Sequence, residues 1–144
     1  MFLSINFVTM DTNSIQQPVL TIIGVLHSDI QSTGEAPKIH TESDRTGTLE
    51  IFPEYVEGMD CIKPGQTIMV LFWLDRARRD TLKVYPRGDR SRGLHGVFAT
   101  RSPNRPNPIA VSELKVLGMD GNRIRVQGLD ILDGTPIVDI KKTL

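Results

Sequence analysis

Residues 96–107 read Gly-Val-Phe-Ala-Thr-Arg-Ser-Pro-Asn-Arg-Pro-Asn, which sets Arg101 and Arg105 in a stretch interrupted by prolines at 103, 106 and 108. Two planar guanidinium forks on a stiff support suit bidentate recognition of a carboxylate or a phosphate. The stiffness comes from the prolines. Each fixes its own φ and pushes the residue before it, here Ser102, Arg105 and Asn107, toward extended geometry. Neither a regular helix nor a central strand fits, so the stretch reads as an ordered loop. Two readings stay open at this level, an anion clamp and a rigid solvated turn.

The charge around that loop is uneven. Net charge is zero, but residues 1–75 carry three Lys/Arg against ten Asp/Glu, residues 76–105 nine against two, and residues 106–144 five against five. The middle run of Arg76, Arg78, Arg79, Lys83, Arg87, Arg90, Arg92, Arg101 and Arg105 has the footprint expected for phosphate backbones. Tyr85, Gly88, Gly93 and His95 are interleaved with it, which favours nucleic acid over the alternative, a solvated basic face balanced by the acidic N-terminal half or by a subunit contact.

The elements that must position these groups read as strands. Residues 19–26 alternate and are β-branched, residues 48–52 are short and extended, and residues 68–74 form an unbroken apolar run expected to be buried on both faces. Residues 54–59 suit one helical turn before the turn pair Pro64-Gly65. Ile109 and Val111 share one parity and Leu114 and Val116 the other. That pattern predicts a bulge near Ser112-Glu113 or a change of the sheet faced. Asp120-Gly121 marks a hairpin, Ile124 and Val126 alternate with Arg123 and Arg125, and Asp133-Gly134 marks a second turn before Pro136. Short strands with Gly/Pro turns predict an all-β fold, a small antiparallel barrel or sandwich.

At 144 residues the chain is expected to form one domain over residues 18–144, with residues 1–17 a polar lead-in, frayed or adding an edge strand, in which Met10 is an alternative start. The lone Cys61 cannot pair internally, and no cysteine or histidine cluster has metal-ligand spacing, so no metal is expected. The N-terminus lacks a basic n-region, and no apolar run approaches about 18 residues. A soluble protein of a reducing cytoplasm, with no membrane partner, is the expectation. The glycine fingerprint of doubly wound folds, the phosphate loop and the His-Glu-x-x-His pattern are all missing.

Taken together, Gly96-Val97-Phe98-Ala99-Thr100-Arg101-Ser102-Pro103, Arg105-Pro106-Asn107-Pro108-Ile109 and Leu129-Asp130-Ile131-Leu132-Asp133-Gly134-Thr135-Pro136-Ile137-Val138-Asp139-Ile140-Lys141 resemble the TrmO (TsaA-like, YaeB-like) family. Weaker pieces, Ile23-Gly24-Val25-Leu26-His27-Ser28 and Leu71-Phe72-Trp73-Leu74, extend the likeness over residues 19–142. The resemblance implies an S-adenosylmethionine-dependent tRNA methyltransferase on a small β-barrel rather than a Rossmann-type sheet, acting as a homodimer. Its reaction methylates N6 of threonylcarbamoyladenosine beside the anticodon of threonine tRNA. Two alternatives remain, a non-catalytic RNA-binding barrel and a methyltransferase for another substrate. Bacterial members usually continue with Pro-Tyr-x-Pro, whereas here Lys141 is followed by Lys142, Thr143 and Leu144, and Ala110 stands where many members carry glycine.

Methyl transfer is an in-line displacement, so the protein must align the nucleophile, exclude water and, for a urea nitrogen, help remove a proton. Asp133, Asp139 and His95 are the acid/base candidates. Each has a plain structural reading beside it: Asp133 as turn chemistry, Asp139 as the ion-pair partner of Lys141 on the same strand face, and His95 as a surface residue. The resemblance implies that the cofactor is held by Phe98, Ala99, Thr100 and Arg101, and by Leu129, Asp130, Leu132, Asp133 and Thr135, mostly through backbone groups. Arg101, then Arg105, with Asn107 and Lys141, are the expected substrate contacts, and Asn107 has a second reading as a brace of the proline loop.

Overall fold

A computed structural model describes residues 15–31 and 44–144. Among the described residues eight strands are formed: β1 (Gly24–His27), β2 (Thr46–Ile51), β3 (Thr67–Trp73), β4 (Lys83–Val84), β5 (His95–Gly96), β6 (Ile109–Asp120), β7 (Arg123–Gln127) and β8 (Pro136–Lys142). Six of them close into an antiparallel barrel in the order β1-β2-β7-β6-β3-β8, and β4 and β5 form a separate two-stranded ribbon. A mainly β fold of this kind is what the turn signals and period-two patterns predict.

Alternation explains the interior. In β3, Ile68, Val70 and Phe72 are buried, as are Leu114 and Val116 of β6, Ile124 and Val126 of β7, and Leu26, Leu49 and Ile137 from the remaining strands. Emptying such a site costs most for the largest side chain, about 3–5 kcal/mol for a Phe-to-Ala change at a position like Phe72. Gly24 permits the barrel to close: a Cβ there would collide with the Glu50 carbonyl of the paired strand.

Several expectations shift. The run over residues 19–26 forms strand only from Gly24, while Val19 is 94% exposed; β2 ends at Ile51, the partner of Gly24, and Pro53 opens a 3₁₀ helix just beyond it. The outward side of β3 is only half covered, so residues 68–74 are not buried on both faces. No bulge falls near Ser112-Glu113. The β3–β6 register runs unbroken from Thr67↔Lys115 to Trp73↔Ile109, and the irregularity lies between Val116 and Gly118 against β7. Ile109 and Val111 instead face outward, where Val111 pairs with the outward Leu71. The helical turn over residues 54–59 appears as a 3₁₀ helix, Pro53–Met59, started by its proline. Of the lead-in, residues 1–14 lie outside the described residues, and residues 15–17 form no regular structure.

Candidate functional site

One end of the barrel carries the two motif-bearing segments. Residues 128–135 link β7 to β8 and fold back over β1. The Asp133 carboxylate accepts the Ser28 backbone N–H at 2.9 Å, the Asp133 N–H donates to the Ile30 carbonyl at 2.7 Å, and the Gly134 N–H to the Leu26 carbonyl at 2.8 Å. Gly134 makes the reversal at φ +81, which a side chain would resist. Leu129 is buried in the core, and Thr135, 4% exposed, turns its hydroxyl back to the Leu132 carbonyl. Side chains at 129 and 135 are thus committed to the fold, and any ligand contact from them falls to backbone groups. Asp130, half-buried, accepts the hydroxyl of the buried Ser112 at 3.2 Å.

The proline loop is held from both sides by arginines. Arg105 is half-buried; one of its terminal nitrogens donates to the carbonyls of Val97 and of Thr100, the latter at 2.9 Å, while its backbone N–H reaches the Arg78 carbonyl. Arg79 lies over the Trp73 ring, 5.1 Å from its centroid, and donates from Nε to the Pro106 carbonyl at 2.8 Å and from Nη2 toward the Asn107 side chain at 3.4 Å. Asn107 thus takes part in bracing the loop. Asn104 accepts the Arg78 N–H at 3.0 Å. The 3₁₀ turn Val97–Ala99 is closed by the Thr100 hydroxyl on the Val97 carbonyl.

Arg101 is exposed and donates to the Val111 carbonyl at 2.6 Å. Because Ser112 holds Asp130, the two segments are anchored on consecutive residues of β6. Arg101 retains further N–H donors on its fork. The Arg105 Nε is the one buried side-chain nitrogen or oxygen without a partner among the described residues. A buried cationic donor in that state fits an anionic oxygen, such as a carboxylate.

The other candidates are placed elsewhere. His95 is exposed on β5 with Nδ1 3.1 Å from the Gly93 carbonyl. Asp139 pairs with Lys141 at 3.0 Å further along β8, the structural reading of that spacing. Asp139 and Lys141 line a cleft of about 750 Å³ together with Ile23, Ile62, Ile140 and residues of the Pro53–Met59 helix. Phe98 is 83% exposed next to buried Val97. Ser28, Trp73, Arg79 and Ser112, which take part in the bracing, are not among the site residues expected from the sequence; Ser28 and Trp73 fall in the weaker pieces of the resemblance and Arg79 in the basic run, and Ser112 carries no site signal.

Two of the nine cations of the basic run are paired with carboxylates of the same run. Arg78 and Asp80 form a two-point ion pair, which holds the Asp80 carboxyl below its ordinary value through hydrogen bonding and then charge. Asp89 is lowered chiefly by hydrogen bonds from Ser91. Arg92 approaches Asp89 at 3.5 Å, and Arg90 stacks on Tyr85 at 5.1 Å.

The family model described as the tRNA-methyltransferase O N-terminal domain matches residues 25–144. An S-adenosyl-L-methionine-binding protein of Archaeoglobus fulgidus is 43% identical over 124 residues, covering 86% of this chain and 88% of that protein. A probable S-adenosyl-L-methionine-binding protein of the same organism is 48% identical over 119 residues, but the match spans 83% of this chain and only 32% of the longer relative. The crystal structure of TrmO from Pseudomonas aeruginosa superposes with a TM-score of 0.72 at 29% identity, covering 90% of this chain and 57% of the other. The chain thus spans about a third of one close relative and somewhat over half of the solved TrmO chain.

Proposed function

The chain belongs to the TrmO N-terminal domain family, and on that premise we propose that it is an S-adenosylmethionine-dependent methyltransferase acting on N6 of threonylcarbamoyladenosine beside the anticodon of threonine tRNA. The observation that carries this reading is the anchoring of the two motif segments on Val111 and Ser112, through Arg101 and Asp130. Relatives 41–48% identical to the chain are named S-adenosyl-L-methionine-binding proteins, two of the three as probable.

The residues fit the cofactor in charge. The unpartnered Arg105 Nε and the remaining donors of Arg101 suit a carboxylate. Backbone groups of residues 98–101 and 129–135 hold the rest, with Asp130 and Asp133 supplying local negative charge. When bound, the cofactor supplies an electrophilic methyl group on a sulfonium. The chain's own task is alignment, which rests on a proline loop fixed by Arg79 and Arg105, since an in-line displacement tolerates little misplacement. Asp133 is the proposed proton acceptor. Its Oδ1 is engaged by Ser28, which orients the carboxylate and leaves Oδ2 for the substrate nitrogen. His95 and Asp139 are secondary candidates, and Asn107 and Lys141 are proposed substrate contacts. The working unit is proposed to be a cytoplasmic homodimer whose RNA partner is an anticodon loop.

Isothermal calorimetry with S-adenosylmethionine, followed by label transfer to tRNA bearing threonylcarbamoyladenosine, tests the proposal. Binding and transfer are expected. No heat at millimolar cofactor would overturn it, and salt-sensitive RNA binding without cofactor binding would point to a non-catalytic RNA-binding barrel.

A further inference from the structure

The β4–β5 ribbon presents apolar side chains to water in a cationic setting. Leu82, Leu94 and Phe98 are 62%, 56% and 83% exposed, and the ribbon register sets Leu82 across from the residue before Phe98: Lys83 pairs with Gly96, Val84 with His95, and the Val97 N–H donates to the Leu82 carbonyl. The backbone beneath Phe98 is fixed, because Val97 is buried and its carbonyl receives both Arg105 and the Thr100 hydroxyl. The backbone that carries the ring is therefore fixed while the ring itself is left uncovered.

Its surroundings select a partner. Residues 76–105 hold nine Lys/Arg and two Asp/Glu. Both carboxylates are engaged, Asp80 by Arg78 and Asp89 by Ser91 and Arg92. Lys83 and Arg92 stay exposed, and Arg90 is already stacked flat on Tyr85. A second copy docking on this face would set like charges against one another. A polyanion with unpaired bases meets cations with phosphates and an aromatic ring with a base.

We propose that Phe98 is a stacking platform for an unpaired nucleobase, with Lys83, Arg90 and Arg92 on the flanking phosphates. This rests on the RNA-directed reading above and adds to it a division of labour: the backbone of residues 97–101 faces the cofactor while the Phe98 ring faces RNA.

Fluorescence anisotropy on the full chain, with an RNA hairpin carrying an unpaired loop and a fully paired duplex of equal length, tests it at fixed salt. Phe98→Ala should weaken hairpin binding on the order of tenfold and leave duplex binding unchanged. Phe98→Trp should restore the hairpin affinity, and Phe98→Leu should not. Full affinity in Phe98→Ala or Phe98→Leu overturns the proposal, the second result meaning apolar docking without stacking. Loss of cofactor binding in Phe98→Ala makes the ring a cofactor contact, and a change of oligomeric state makes it a subunit contact; either overturns it. If the wild-type chain binds cofactor but neither RNA, the RNA reading itself falls. If it binds the hairpin and Phe98→Ala is silent, only the stacking falls.

Discussion

Asp133 and Ser28 are 105 residues apart in sequence, yet the carboxylate of the first accepts the backbone N–H of the second at 2.9 Å. This bond ties the turn before β8 to the exit of β1. Asp133→Ala should leave that N–H without its charged acceptor and cost about 2 kcal/mol, read from urea unfolding. Asp133→Asn keeps an acceptor oxygen and should stay within about 1 kcal/mol of wild type while losing methyl transfer. Full transfer by Asp133→Asn would reduce Asp133 to an anchor.

Arg105 serves two carbonyls, those of Val97 and Thr100, from one nitrogen. A lysine has no planar fork and cannot take its place. Arg105→Lys and Arg105→Ala should each lower stability by about 2 kcal/mol and open residues 97–108 to proteolysis. A lysine variant with wild-type stability and cleavage pattern would show that the fork is dispensable.

Arg79 covers Trp73, the single tryptophan of the chain. Tryptophan-selective fluorescence therefore reads the surroundings of Trp73, of which this contact is part. Arg79→Ala should shift the Trp73 emission and cost about 1 kcal/mol. An unchanged spectrum would mean the guanidinium does not rest on the ring.

Arg101 is exposed and makes one backbone hydrogen bond, to Val111. Removing it should therefore spare the fold. Arg101→Ala is expected to keep its melting temperature within a few degrees and to reduce transfer by about 10- to 100-fold, the size of a lost charge-assisted contact. Unaltered transfer would remove Arg101 from the proposed site.

Asp80 and Asp89 both hold their protons less tightly than ordinary carboxyls, Asp80 through its hydrogen bond and charge pairing with Arg78, Asp89 through hydrogen bonds from Ser91. A carboxyl lowered on folding contributes stability above its unfolded value and loses it as pH falls through the folded value. Both groups are on the surface, so the effect is local. The Ser91 amide resonance should move with pH at a midpoint below the ordinary aspartate value. A midpoint at or above the ordinary value would contradict this.

Much of the barrel was legible because its signals are local. Asp120-Gly121 and the alternation through Arg123, Ile124, Arg125 and Val126 give β6, the hairpin and β7 with no knowledge of partners. The extent of β1 was not, since Val19 alternates as well as Val25 and the end of β2 at Ile51, the partner of Gly24, is visible only once the strands have paired. Ile109 and Val111 misled for another reason: apolar residues on the outer wall, beside Leu71, mimic a bulge when every apolar residue is assumed to face inward. The β4–β5 ribbon has two-residue strands, too short for any period. At the candidate site, Arg101 and Asp133 stood out by residue type. Trp73, Ser28 and Ser112 did not, because their roles exist only after distant segments have met.

The β1–β8 joint has two paired positions, Gly24↔Ile137 and Val25↔Pro136, against seven between β3 and β6. Under mechanical load or in dilute denaturant the ring should part along this line and lie open as a curved six-stranded sheet. The same two edges carry Leu26 and Thr135, which seat residues 128–135, so parting them would dismantle one wall of the proposed site while β3, β6 and the proline loop stay paired. Loss of activity could then precede loss of most of the β-structure.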